Sequence, residues 1–258
     1  MQRAASFGWR STLRRYENIM TKKILIYGGS GGIGSATAEL LHKQGHVLHL
    51  VGRNADAIAQ TGAKFGATTT VGDVTDETLF AQVMQEVSSP LDGIVYAVGT
   101  INLKSIRRLT ASDFLNDYKV NGLGAALAIQ AALPALKKAE GNPSIVLYSS
   151  VAATQGFNFH ASIGMAKGAI DGLTLSLAAE LAPKIRVNAI APSLTKTPLA
   201  AGLLRNEQAE KSLADMHPMG RLGDAADIAA LTAFLLSSES GWMTGQIIGV
   251  DGGRSTLR

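Results

Sequence analysis

The stretch Lys23-Ile24-Leu25-Ile26-Tyr27-Gly28-Gly29-Ser30-Gly31-Gly32-Ile33-Gly34 decides how this chain is read. An apolar run of strand length stops at Tyr27, five of the next seven residues are glycine, and a segment of helical periodicity, Ile33–Gln44, follows. Gly28, Gly32 and Gly34 fall at G-x-x-x-G-x-G spacing. Without Cβ atoms the backbone can curl under a pyrophosphate, and the start of the next helix supplies N–H donors and partial positive charge. A tight turn is the competing reading of any glycine run. The strand before and the helix after are the context that a dinucleotide-binding loop requires.

The same alternation extends outward. Apolar runs at Ile24–Tyr27, Val47–Val51, Ile94–Val98, Ile145–Tyr148, Ile185–Ile190 and Ile247–Val250, with a shorter candidate at Val71–Asp73, predict strands. Helical periodicity predicts helices over Ile33–Gln44, Asp76–Val87, Ala111–Lys138, Ala161–Leu181 and Ala225–Ser237. Apolar runs that do not alternate, separated by helices, indicate parallel strands buried on both faces. The expected fold is therefore α/β: a doubly wound Rossmann-type parallel sheet of about seven strands with helices on both faces. A TIM barrel matches the length but not the glycine-rich first turn. No boundary, repeat or charge run divides residues 21–258, which are read as a single domain.

Composition removes other classes. The chain has no cysteine, which excludes disulfides, thiolate metal sites and a cysteine nucleophile. Its net charge is +4, yet residues 1–20 hold Arg3, Arg10, Arg14 and Arg15 against Glu17 alone. The nearly neutral remainder, with 5% aromatics, offers no basic stripe for nucleic acid. Residues 1–20 read either as a start placed too early, with Met20 the true beginning, or as an organellar transit peptide. The expected location is cytoplasmic, or organellar in the second case. The run Val120–Leu136 falls short of a membrane span. His42, His46 and His49 lack a clustered carboxylate, so no metal site is expected.

Cofactor choice turns on the end of the second strand. An NAD site usually carries an acid there; this chain reads Leu50-Val51-Gly52-Arg53-Asn54. A guanidinium suits a 2′-phosphate, so NADP is expected ahead of NAD, unless Arg53 is simply a solvated surface residue. Ser30 and Gly31 add no second cation.

From Lys22 to the C-terminus the chain resembles the short-chain dehydrogenase/reductase family. The resemblance is carried in order by Gly28–Gly34, Asp73-Val74, Gly99, Asn121, Ser149-Ser150, Lys167, Arg186-Val187-Asn188-Ala189, Pro192, Thr197 and Asp251-Gly252-Gly253. It implies that Gly28, Ser30, Gly31, Gly32, Ile33, Gly34 and Arg53 contact the nucleotide, and that Asp73 and Val74 border the adenine. Gly99 would pass near the adenosine ribose. Pro192, Thr195 and Thr197 would border the nicotinamide. It implies further that Asn121 holds a water, that Ser150 bonds a substrate carbonyl, and that Lys167 binds the nicotinamide ribose. Family members pair helices across a two-fold axis, and small residues such as Ala125, Ala128, Ala132, Ala169, Gly172, Ala178 and Ala179 suit a homodimer or homotetramer. The same residues would also suit packing on the chain's own sheet.

One departure bears on mechanism. The family's usual acid is a tyrosine four residues before the lysine, and that position is Ile163. A divergent enoyl-reductase branch places its tyrosine seven before the lysine, which here is His160. A histidine titrates near neutrality and can serve as an acid, although a nearby ammonium would empty it of its proton. A loop histidine satisfied by backbone is the plainer reading. Phe157 and Phe159 beside it suit a substrate pocket or the core. The expectation is an NADP(H)-dependent oxidoreductase acting on a carbonyl or activated alkene of a small molecule with a non-standard proton donor. The alternative is a nucleotide-binding sensor or scaffold with little or no turnover.

Overall fold

Aliphatic and β-branched runs that do not alternate form strands covered on both sides. The computed structural model describes residues 21–87 and 89–257, so the expectations for residues 1–20 lie outside it. The strands are β1 (Lys23–Tyr27), β2 (Val47–Gly52), β3 (Thr68–Val71), β4 (Gly93–Tyr96), β5 (Ser144–Tyr148), β6 (Arg186–Pro192), β7 (Thr195–Lys196), β8 (Gly223–Asp224) and β9 (Ile247–Val250). Seven of them make one parallel sheet in the order β3-β2-β1-β4-β5-β6-β9, while β7 pairs with β8. The fold is the doubly wound α/β type expected.

Two apolar layers hold it together. On one face α1 (Gly32–Lys43), α2 (Ala55–Phe65) and α8 (Ala225–Leu236) bury Leu41, Ile58 and Ile228 against Ile24, Ile26 and Val146. On the other, α3 (Thr78–Glu86), α5 (Gly124–Lys137) and α6 (Ala161–Leu181) bury Phe80, Ala128 and Ile170 against Leu25, Ile94 and Leu147. Two shorter helices, α4 (Ala111–Tyr118) and α7 (Glu207–Ala214), precede α5 and follow β6. Because β1 lies between β2 and β4, the crossovers leave it in opposite directions. That switch opens a crevice at the carboxyl ends of β1 and β4, where such sheets bind ligands.

Three sequence expectations need correction. The third strand is Thr68–Val71 rather than Val71–Asp73, carried by β-branched threonines, and Asp73 lies in the turn beyond it. The helix α2 was not anticipated; Asn54 caps it by accepting the Ala57 N–H at 2.9 Å, and Gly66 ends it with φ +59°. The long helix expected over Ala111–Lys138 is interrupted by a π-helical turn, Lys119–Leu123, between α4 and α5.

Candidate active site

The glycine loop is shaped first by its own packing. Its N–H groups at Gly28 and Gly29 donate to the Val51 carbonyl at 2.8 and 3.1 Å. Gly28 takes φ +78°, and a methyl group there would meet the Ala97 carbonyl oxygen at 2.7 Å. A methyl on Gly34 would strike the Gly28 carbonyl, and one on Gly32 would meet Thr197 Cγ2 at 2.7 Å. The loop therefore lies flat between β1, β4 and the segment after β6. Gly31 caps α1 with no side-chain bond, and no acid stands in the first turn. A helix start left this way presents N–H donors and positive potential to an anion, which fits a dinucleotide pyrophosphate. Ile33 is partly buried against the α1 layer of the core.

At the end of β2, Arg53 is exposed, and a methyl on Gly52 would lie 3.0 Å from Ser30 Oγ. A hydroxyl thus borders the same corner as the guanidinium. Asp73 accepts the Thr75 N–H at 2.9 Å and its hydroxyl at 2.7 Å; those bonds, with Arg53 adding attraction, hold its carboxyl below the usual range. Val74 beside it is buried.

The second half of the crevice gathers Gly99, Asn121 and Lys167. Lys167 is buried on α6 and donates to the Tyr148 carbonyl at 2.8 Å. Burial pulls its ammonium down to about 8, against the opposing attraction of Asp171. Asn121 is fully buried in the π turn, and its Nδ2 donates to the Asp117 carbonyl at 2.8 Å and to Thr100 Oγ1 at 3.0 Å. Its Oδ1 has no protein partner among the described residues. A methyl on Gly99 would sit 3.2 Å from that oxygen and 3.3 Å from Lys167 Nζ. Both polar ends therefore face one small gap that only glycine leaves open. An orphaned acceptor and an ammonium sharing a gap fit a hydroxyl-bearing ligand such as a ribose.

Ser150 follows β5; its Oγ accepts the Ala152 N–H at 3.1 Å and makes a long 3.5 Å contact to the Pro192 carbonyl. The hydroxyl of Thr195 donates to Ser193 O at 3.0 Å, and that of Thr197 lies 3.4 Å from Thr195 O.

Ile163 is buried four residues before Lys167. Four tyrosines occur among the described residues. Tyr96 donates to Val120 O at 2.6 Å, Tyr27 lies in the core, and Tyr118 is exposed on α4. Tyr148 sends its hydroxyl to Thr232 at 2.6 Å and towards Thr37 at 3.5 Å, on the sheet face opposite α6. Only its backbone carbonyl meets Lys167. His160 caps α6 two helical turns before Lys167, its Nδ1 2.7 Å from Asn158 O and its ring 5.3 Å from Phe157. It lines an open cleft of about 700 Å³ with Ile106, Gln155, Phe157, Phe159 and Met165. Gln155 Oε1 is buried there with no partner among the described residues, and Phe159 holds φ +68°.

Sequence reasoning missed Thr100, Asn102, Asp117 and Ser162, which form a buried polar cluster behind Asn121. The available signal was Asp117 one helical turn before Asn121, an acid on an otherwise inward face.

A sheet with its switch at β1 and β4, an uncapped glycine-rich helix start and a buried lysine at the crevice define a nucleotide-binding oxidoreductase fold. The comparisons agree. A family model described as enoyl-(acyl carrier protein) reductase matches residues 28–255. A tropinone reductase homologue of Arabidopsis thaliana is 36% identical over 239 residues, covering 89% of this chain and 88% of the relative. Carbonyl reductase family member 4 of Danio rerio is 32% identical over 245 residues, 92% of this chain and 100% of its own. The solved structure of an NADPH-dependent reductase involved in bacilysin biosynthesis superposes with a TM-score of 0.86 at 25% identity, covering 93% and 100%. The chain belongs to the short-chain dehydrogenase/reductase family.

Proposed function

We propose that the protein is an NADP(H)-dependent oxidoreductase that moves hydride to or from a carbonyl or activated alkene of a small molecule. The observation that carries this reading is the gap at Gly99, faced by Lys167 Nζ and Asn121 Oδ1 beside the glycine loop. When bound, the nicotinamide supplies or accepts the hydride. The N–H groups opening α1 hold the pyrophosphate, and Arg53 with Ser30 Oγ receives the 2′-phosphate. Asp73 and Val74 border the adenine. Lys167 and Asn121 hold the ribose hydroxyls or a water, with Thr195, Thr197 and Pro192 beside the nicotinamide. Ser150 donates to the substrate oxygen.

The proton comes from a group other than the family's tyrosine, and His160 is the candidate. Its Nδ1 faces a carbonyl acceptor and so carries hydrogen, leaving Nε2 to exchange the proton with substrate. A neutral ring can then only accept at Nε2; reduction needs the imidazolium and oxidation the neutral form. Screening NADPH consumption against ketones, quinones and enones tests the activity. In a reactive pair, His160→Phe lowers kcat by roughly 10²–10⁴. A variant that keeps its rate would remove the histidine role. The second reading, a nucleotide-binding protein without turnover, is favoured by Ile163 and predicts NADPH binding with no consumption across the panel. The exposed apolar side chains of α4 and α6, Leu115, Tyr118, Met165 and Leu175, suit a homo-oligomeric contact.

A further inference from the structure

Asp117 is wholly buried, and its carboxylate is met by hydrogen-bond donors on both oxygens. It accepts from Thr100 Oγ1 at 2.7 Å, Asn102 Nδ2 at 3.1 Å and Ser162 Oγ at 2.5 Å. The cation of this corner, Lys104, pairs with Asp113 at 2.5 Å instead. A buried carboxylate is costly unless hydrogen-bonded, and here two hydroxyls and an amide carry it at the start of α6, where the helix dipole favours negative charge.

The direction of these bonds has a consequence at Asn121. A carboxylate only accepts, so the single Thr100 proton points to Asp117. The Thr100 oxygen is then left as an acceptor, and it takes the Asn121 amide N–H at 3.0 Å. The Asp117 backbone carbonyl takes the other at 2.8 Å. With both amide protons used, Asn121 has only its Oδ1 to turn towards the gap it shares with Lys167.

We propose that Asp117 is a positioning residue: acting through Thr100, and alongside its own backbone carbonyl, its carboxylate holds the Asn121 amide so that an oxygen, not an NH₂ group, faces Lys167. The inference rests on the role given above to Asn121 and Lys167. If Asp117 becomes asparagine, its amide can donate to Thr100, and the freed threonine proton then competes with the Asp117 backbone carbonyl over which end of the Asn121 amide faces them. In the molecules in which Asn121 reverses, an NH₂ group faces the ammonium and disfavours its charge, which lowers the observed midpoint. The charged groups acting on Lys167 from its surroundings are Asp171 on its own helix and, through this relay, Asp117 on α4. The neighbouring Tyr148 on β5 offers only a carbonyl.

The test reads Lys167 directly and needs no turnover. In the full chain carrying ¹³Cε-labelled lysine, the Lys167 resonance, assigned by its loss in Lys167→Arg, is titrated with and without NADPH. In Asp117→Asn and in Thr100→Val its midpoint should fall by roughly half a pH unit or more, while Thr100→Ser keeps the wild-type value. Thr100→Val removes one half-buried oxygen and stands in if Asp117→Asn does not fold. A midpoint unchanged in both Asp117→Asn and Thr100→Val overturns the relay. If instead the relay holds but NADPH leaves the wild-type titration unmoved and does not bind, the cofactor reading fails while this inference stands.

Discussion

Lys167 is the residue at which the chemistry and the stability of the chain oppose each other. Its ammonium is buried against a single carbonyl, and burial lowers it to about 8. The unfolded chain holds that proton until about 10.5, so between pH 8 and 10.5 the unfolded state binds more protons and this lysine's contribution to stability rises with pH. Lys167→Met has no such dependence. Its stability relative to wild type, measured by urea unfolding, should therefore fall by roughly 2 kcal/mol between pH 7 and pH 10. A pH-independent difference would mean that the lysine is solvated. At the other end of the crevice, Arg53 is exposed and draws on Asp73, so it is a group whose removal should disturb little else. Arg53→Asp should move preference from NADPH towards NADH by about tenfold or more, read as the ratio of the two Kd values. Equal ratios in variant and wild type would assign the guanidinium to solvent. Arg53 and Ser150 were legible in the sequence because strand ends can be found from apolar runs and a residue at a strand end is placed by them, whereas Lys167, inside α6, was legible only through the family resemblance. The Asp117 cluster was not, because its members come from the loop after β4, from α4 and from the start of α6, and only packing brings those together.

Among the elements, two irregular segments lie beside the site. A helix expected to run unbroken from Ala111 to Lys138 carries a π turn at Lys119–Leu123, and Asn121 is inside it. Such turns recur at functional sites because the extra residue re-aims one side chain. No periodicity signals it: one added residue in a turn leaves the apolar pattern on either side nearly unchanged. The loop before α6 holds Phe159 at φ +68°, a conformation costly for a side chain with a Cβ, while its carbonyl accepts the Lys104 N–H at 3.1 Å. Phe159→Gly should keep stability within about 1 kcal/mol, since relief of strain offsets the added chain entropy. Phe159→Val, β-branched, should lower it by roughly 1–2 kcal/mol. Equal thermal midpoints for the two variants would show that the loop relaxes.

For the whole molecule, the small residues of α5 and α6 divide into two groups that the sequence could not separate. Ala125, Ala128, Ala132 and Ala178 are buried in the chain's own core, so their size serves the sheet rather than a partner. Gly172 and Ala179 are exposed, near Leu175, which is 53% exposed on the same helix. Leu175→Glu places a charge on that face and should reduce the mass found by light scattering to that of one chain, with the thermal midpoint of the fold itself little changed. A wild-type mass already equal to one chain would remove the contact. No helix among the described residues is long and apolar enough to cross a membrane. The parallel sheet, the glycine loop after its first strand and the isoleucine four residues before the lysine can be read from the chain alone. These are local facts of side-chain volume, spacing and periodicity. Packing is what brings Asn121 to a gap shared with Lys167, sets Asp117 behind it, and turns the Tyr148 hydroxyl to the opposite face. Those depend on which surfaces the helices bury against the sheet, and burial is a property of the packed chain rather than of any segment within it.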